Sequence, residues 1–276
     1  MENGHKAKKH MVNSYDSDSW KPTSNKAAED SFIEYYAKIF SPYKIDTMHD
    51  CTFGSGSLTY PLYKMGYSMS GSDLSENMIT LARNYIQQEG LEIEVFQKDF
   101  REINLDNKVD CLISTGNSLP HVSNTDLQKA IRNFADQIRS HGYFYFDIRN
   151  WDKILTNKQR FFSYALSFKG DIIRHLMQVW DFSDDMKTVK FNLVFTDYDK
   201  DGKIINRKIE TIPTYYPIRW NLLEKYLEEA GFEIIKRYNH DIFHNFGSKT
   251  EAIFEIGSES TFMDVDWYAV LSRKIH

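Results

Sequence analysis

The stretch Asp50-Cys51-Thr52-Phe53-Gly54-Ser55-Gly56 decides the fold of this 276-residue chain. The segment before it, near Lys44–Cys51, predicts a short strand. The run behind it, Ser57 to Met65, predicts a helix with Pro61 near its first turn, where a missing N–H costs least. Glycines at a strand-to-helix junction let the backbone turn sharply and let a ligand approach the main chain. A second predicted strand, Tyr67–Asp73, then ends on a carboxylate. An acid at that place can accept hydrogen bonds from both hydroxyls of a ribose.

Working outward, the alternation continues. Ser75–Glu89 reads as a helix stopped by Gly90, Ile93–Gln97 as a third strand and Val109–Thr115 as a fourth, apolar enough for a buried parallel position. A helix near Thr125–Arg139 precedes a fifth strand, Gly142–Ile148. This spacing predicts an α/β fold, Rossmann-like and doubly wound, on a mostly parallel seven-stranded sheet. Upstream, Phe32, Ile33, Tyr36, Ile39 and Phe40 recur at helical spacing before Pro42.

The regularity breaks after Trp151. Phe161 to Tyr216 holds alternating segments with the turn DKDG at Asp199–Gly202, which predicts an antiparallel β insertion of about three strands after strand five. A helix, Leu222–Ala230, and strands near Phe232–Tyr238 and Asp264–Ser272 complete the core, with a further strand expected at Ala252–Ile256. The expected organisation is therefore an arm over residues 1–26, a cofactor-binding core over 27–153, a substrate-covering insertion over 154–217 and the completion of the core over 218–276.

Composition narrows the partners. Thirty-four Lys and Arg against 39 Asp and Glu give a net charge of −5, so nucleic acid is not an expected partner. No apolar run is long enough to cross a bilayer, and MENGHKAKKH lacks the apolar stretch of a secretory signal. Two isolated cysteines, Cys51 and Cys111, suit reduced thiols in the cytoplasm, on strands expected to be neighbours. No metal is expected, since His240 and His244 lack a third ligand and read as exposed polar residues. A homo-oligomer is left open.

A dinucleotide turn usually carries a third glycine beneath its pyrophosphate, and here that place falls at Thr59. No Gly-Lys-Ser/Thr occurs either, so a ligand with a ribose and no phosphate fits better. The bland alternative is an ordinary tight turn, with Ser75 capping the helix behind it.

DCTFGSG followed by SDLSENMITLAR resembles the first two motifs of class I S-adenosylmethionine-dependent methyltransferases. The resemblance implies S-adenosylmethionine as cofactor and S-adenosylhomocysteine as product. It places Asp50, Thr52, Gly54 and Gly56 around the methionine part, Asp73 and Leu74 at the ribose, and Met78, Asp99 and Phe100 at the adenine. Thr52 departs from the small residue usual there. Thr115-Gly116-Asn117-Ser118 after strand four and Asp147-Ile148-Arg149-Asn150-Trp151-Asp152 after strand five are similar to glycine and sarcosine N-methyltransferases. That narrower resemblance adds Thr115 to the cofactor set and implies that Arg149 grips a substrate carboxylate. It further implies an arm over the site, bringing Tyr15 to the catalytic set and Trp20 to the cofactor set, although both can equally pack on the surface.

Methyl transfer from a sulfonium is an in-line displacement, for which alignment alone can supply about 7–11 kcal/mol. No strong dedicated base is required, and Asn117 is expected to orient an amine. Arg149 can instead be a structural ion pair with Asp147 or Asp152. The expected activity is methyl transfer to the nitrogen of a small amine or amino acid. O-methylation, amino-sugar N-methylation and cofactor binding without catalysis are the alternatives. Trp180, Phe182, Phe191, Phe195, Tyr215 and Tyr216 are candidates for the pocket wall.

Overall fold

In the computed structural model, which describes residues 26–164, 166–240 and 254–276, strand β1 (Thr47–Asp50) pairs in parallel with β2 (Ser68–Asp73) on one side and β4 (Val109–Ser114) on the other. Strand β3 (Glu94–Gln97) extends the sheet beyond β2, and β5 (Ile138–Arg149) extends it beyond β4, both in parallel. Strand β12 (Trp267–Lys274) pairs antiparallel with β5, and β11 (Phe232–Asn239) antiparallel with β12. The spatial order is β11-β12-β5-β4-β1-β2-β3, the expected seven-stranded sheet with β12 alone reversed. The order changes direction between β1 and β4, and the crevice beyond the carboxyl ends of those strands is where such sheets bind ligands.

Both sheet faces are covered, which is why β4 reads as continuous Cys-Leu-Ile. Cys111 and Ile113 face a core with Tyr36, Ile39 and Phe40 of helix α1 (Lys26–Phe40). Leu112 faces a second core with Ile131 and Phe134 of a later helix, Asn124–Gln137. In chain order the other helices are α2 (Tyr60–Lys64), α3 (Glu76–Glu89), α4 (Asn124–Gln137), α5 (Trp151–Thr156), α6 (Trp220–Glu229) and α7 (Glu259–Asp264). Helix α3 ends on Gly90 at φ +63°, and the Ser75 hydroxyl accepts the Met78 N–H at its start.

The polar sequence of β1 has a lateral explanation. The His49 ring lies between the Ser70 and Ser72 hydroxyls of β2, at 2.8 and 3.0 Å. Burial pushes it down to about 3, so it stays neutral. Asp110 of β4 accepts the N–H groups of Asp46 and Thr47. Cys51 and Cys111 are both buried and free; Cys111 lies on β4, while Cys51, expected on the neighbouring strand, falls one residue past the end of β1.

Between α5 and α6 the chain builds a second, antiparallel sheet. Its long strands are β8 (Ile172–Phe182), β9 (Val189–Tyr198) and β10 (Ile204–Tyr215), joined by the expected hairpin with Gly202 at φ +79°. Two short strands, β6 (Phe161–Ser163) and β7 (Ser167–Lys169), add to β8, so the insertion has more strands than its sequence suggested. The last core strand begins at Trp267, behind α7, rather than at Asp264. Of the further strand expected at Ala252–Ile256, the described part makes one isolated bridge, Glu255 to Tyr238; 252 and 253 lie outside the described residues.

Candidate active site

A cavity of about 620 Å³ opens at the carboxyl ends of β1, β2, β4 and β5 and runs under the second sheet. Of the expected site residues, Thr52, Gly54, Gly56, Asp73, Leu74, Met78, Asp99, Phe100, Thr115, Asn117 and Arg149 all line it. Tyr15, Trp20 and His244 lie outside the described residues.

At the sheet end, Asp73 joins the glycine turn to α3. Its carboxylate accepts the Gly54 N–H and the Ser75 N–H, both at 2.9 Å. An ionised carboxylate has about four acceptor sites, so capacity for two hydroxyls remains. The two glycines differ. Gly54 sits at φ +57° with nothing within 4 Å of where a Cβ would stand. At Gly56, φ +89°, a Cβ would come within 2.3 Å of the Tyr60 ring and 2.6 Å of Phe53. Gly54 therefore leaves room on the cavity side, while Gly56 lets the turn pack against its own helix.

Asp50 does not line the cavity. It is fully buried and accepts from the Thr52 N–H at 2.9 Å, the Thr59 hydroxyl at 2.6 Å and the Thr115 hydroxyl at 3.1 Å. Burial nevertheless pushes its pKa up to about 6. The geometry gives Asp50 the work of bracing the turns after β1 and β4, in place of the direct ligand contact expected of it. Thr59, where a dinucleotide turn has its third glycine, is half of that brace. Asp99 lines the cavity, and Arg101 closes on its carboxylate through Nε at 2.9 Å and Nη2 at 2.6 Å.

At the other end of the cavity lies Arg149, the last residue of β5, only 2% exposed. Its Nη2 donates to the Tyr164 hydroxyl at 2.7 Å and to Gln178 Oε1 at 3.0 Å. The guanidinium carbon stands 4.6 Å from the ring centres of Phe162 and Trp267 and 5.2 Å from Trp180. Among the described residues, Nε and Nη1 are buried with no hydrogen-bond partner. The structural ion pairs considered for Arg149 do not form. Asp147 instead accepts the Gly116, Asn117 and Trp267 indole N–H groups, and Asp152 accepts Arg219 and the Trp220 N–H. Cation–π contact offsets part of the desolvation of a buried cation. It leaves the orphaned donors in need of an acceptor.

Asn117 occupies the left-handed region, φ +59°, which asparagine tolerates better than most residues. Its Oδ1 accepts the Arg149 backbone N–H at 3.1 Å, which ties the residue to the scaffold and leaves the second lone pair of that oxygen. Beyond it, the short 3₁₀ turn Leu119–His121 carries the half-buried His121 against Tyr215, ring centres 4.2 Å apart. Desolvation pushes His121 down to about 4, so its ring is neutral near pH 7. Of the six candidate wall aromatics, Phe191 and Tyr215 line the cavity. Trp180, Phe182, Phe195 and Tyr216 are not among its lining residues.

Sequence reasoning missed Tyr164 and Gln178. Gln178 alternates with Trp180 on the inward face of an apolar strand, and that inward polar residue was the available signal. His240, expected to be exposed, is 1% exposed, with Nε2 3.8 Å from Asp147 Oδ2.

The residues fit a nucleoside cofactor without phosphate. Asp73 has free acceptor capacity and Gly54 leaves open space, while the Thr59–Asp50 bond fills the place of a pyrophosphate turn. Residues 49–142 match a family model described as a methyltransferase domain. A Geobacillus sp. (strain WCH70) protein, whose name assigns methyltransferase activity provisionally, is 23% identical over 75% of this chain and 81% of its own. The structure of an S-adenosylmethionine-dependent methyltransferase from Clostridium acetobutylicum is similar at TM-score 0.65 and 19% identity, covering 94% of this chain and 96% of that one. The structure of an amino pentose methyltransferase from Micromonospora echinaspora, solved with S-adenosylmethionine bound, is similar at TM-score 0.61 and 11% identity, covering 99% of this chain and 95% of that one.

Proposed function

We propose that the chain is an S-adenosylmethionine-dependent methyltransferase, a reading that its matched domain and its similarity in fold support, and that it methylates the nitrogen of a small amine that also carries a carboxylate. The observation that carries this reading is Arg149, a desolvated guanidinium with Nε and Nη1 lacking partners among the described residues. A carboxylate oxygen can accept from either of these N–H groups, and such a charge-assisted bond is stronger than a neutral one.

Bound S-adenosylmethionine supplies an electrophilic methyl group on a positively charged sulfur. Around it, this chain aligns and desolvates. Asp73 and the Gly54 turn hold the nucleoside end, and Arg149 anchors the acceptor at the far end of the same cavity. An ammonium entering between Arg149 and a sulfonium meets positive charge on both sides, which lowers its pKa and favours the neutral, nucleophilic amine. His121, held neutral, adds no further positive charge to that space. A hydroxyl acceptor must lose its proton to a base as it reacts, whereas a neutral amine needs none to attack, so nitrogen is a better acceptor than a hydroxyl.

A second reading is amino-sugar N-methylation, for which the similar amino pentose methyltransferase is the precedent. Methyl transfer from labelled S-adenosylmethionine to amino acids, to their amides and to amino sugars separates the two. Turnover of the free acids alone supports the carboxylate reading. Equal turnover of acids and amides, or turnover of amino sugars alone, overturns it.

A further inference from the structure

The acceptor half of the cavity is walled by rings that cover one another's faces. Phe191 and Tyr215 stack at 4.0 Å with 9° between their planes. Phe191 also meets Trp180, at 5.5 Å and 25°, and Tyr215 meets His121, at 4.2 Å and 41°. The stack covers one face of each ring, and both rings line the cavity. These rings come from β8, from β9, from the end of β10 and from the turn after β4. They are fixed in place by the pairing of Phe191 with Ile212 and by the Tyr216 N–H bond to the Pro120 carbonyl.

A ring edge carries the positive part of the aromatic quadrupole. It attracts the π face of another ring, repels a cation and gives a saturated chain only dispersion. Arg149 lies at one end of this wall, its guanidinium carbon 6.0 Å from the Phe191 centre. Leu193 and Ile212 line the cavity beside the rings. Glycine and sarcosine have nothing to place against such a surface.

Resting on the carboxylate reading above, we infer that the acceptor is an amino acid or amino-carboxylate with an aromatic body, its carboxylate on Arg149 and its ring face on the edges of Phe191 and Tyr215. Edge-to-face contact is worth roughly two- to tenfold per ring pair in affinity. A saturated ring of the same size has no π face and forfeits that gain.

The test uses the full chain saturated with S-adenosylhomocysteine and titrated calorimetrically. The probes are phenylacetate, cyclohexylacetate and acetate, followed by turnover of phenylalanine, cyclohexylalanine and glycine with S-adenosylmethionine. The expected result is phenylacetate binding at least fivefold tighter than cyclohexylacetate, with the same order in kcat/KM. Tyr215→Leu is expected to bring that ratio below twofold while S-adenosylhomocysteine affinity is kept. Phe191→Leu repeats the measurement if Tyr215→Leu does not fold. Equal binding of the two ring acids, a ratio unchanged in the variants, or glycine as the best acceptor overturns the inference alone. If no carboxylate binds and Arg149→Gln changes nothing, the carboxylate reading falls with it.

Discussion

The Asn117 side-chain oxygen accepts the Arg149 backbone N–H at 3.1 Å, tying the turn after β4 to the end of β5. Asp147 closes the same loop from behind by accepting the Gly116 and Asn117 N–H groups. The guanidinium thus issues from a backbone position held by side chains from its own and the neighbouring strand. Asn117→Ala keeps a Cβ at φ +59°, where alanine pays about 1–2 kcal/mol and asparagine less, and leaves a buried N–H unpaired, costing about 1–3 kcal/mol. Asn117→Gly carries only the second cost. Urea unfolding should show the alanine variant less stable than the glycine variant by about 1 kcal/mol. Equal stabilities would mean that the left-handed turn is not under constraint.

Arg149→Met tests function against stability at a single position. A flexible apolar side chain suits the space between Phe162, Trp180 and Trp267, and replacing a poorly paired buried charge with apolar groups is often neutral or stabilising. Thermal unfolding is expected to show a Tm equal to or above that of the parent. Losing the charged bonds to a carboxylate costs about 2–5 kcal/mol, so kcat/KM for an amino-acid acceptor should fall by about 30-fold or more. S-adenosylmethionine affinity should stay within threefold. A marked fall in Tm with acceptor kinetics intact would make Arg149 a structural residue.

The sheet was legible because its signals are local. Gly90 stops α3, the DKDG turn makes a hairpin, and each β–α alternation is written in consecutive residues. Asp73 and the Gly54 turn were legible as cavity residues for the same reason, since they lie on adjacent strand ends. What the sequence hid was partnership across distance. Asp50 and Asp99 read as ligand contacts, and the bonds of the first to Thr59 and Thr115 and of the second to Arg101 were not foreseen. The acceptor end depends on β8 and β9 folding back over β5, which brings Gln178 to Arg149 across 29 residues. No local periodicity encodes that approach.

Gly54→Ala and Gly56→Ala should separate ligand space from packing. Both glycines have positive φ, costing alanine about 1–2 kcal/mol. At Gly54 the new methyl enters open space, so stability should fall by no more than that. At Gly56 it strikes Tyr60 and Phe53, and overpacking adds about 1–3 kcal/mol. Chemical denaturation ranks the two variants. Calorimetry then shows whether Gly54→Ala weakens S-adenosylmethionine binding, as it should if the cofactor passes over that turn.

Asp147 predicts a pH dependence of unusual sign. Burial pushes its pKa up to about 7, against the pull of the Gly116, Asn117 and Trp267 donors. An unfolded aspartate titrates near 3.9, so between about pH 4 and 7 the folded chain holds a proton that the unfolded chain has lost. Its contribution is fully present below the unfolded pKa and declines by up to about 1.4 kcal/mol per pH unit as pH rises towards 7. His49 and His121, pushed down to about 3 and 4, act in the opposite direction below about pH 6.5. The difference between the wild type and Asp147→Asn isolates the carboxyl, because both histidines are common to the two proteins. Tm of Asp147→Asn relative to wild type should climb from pH 5 to pH 7 and level off by pH 8. A difference that is flat over this range would mean that Asp147 is already ionised at pH 5, held so by its three N–H donors.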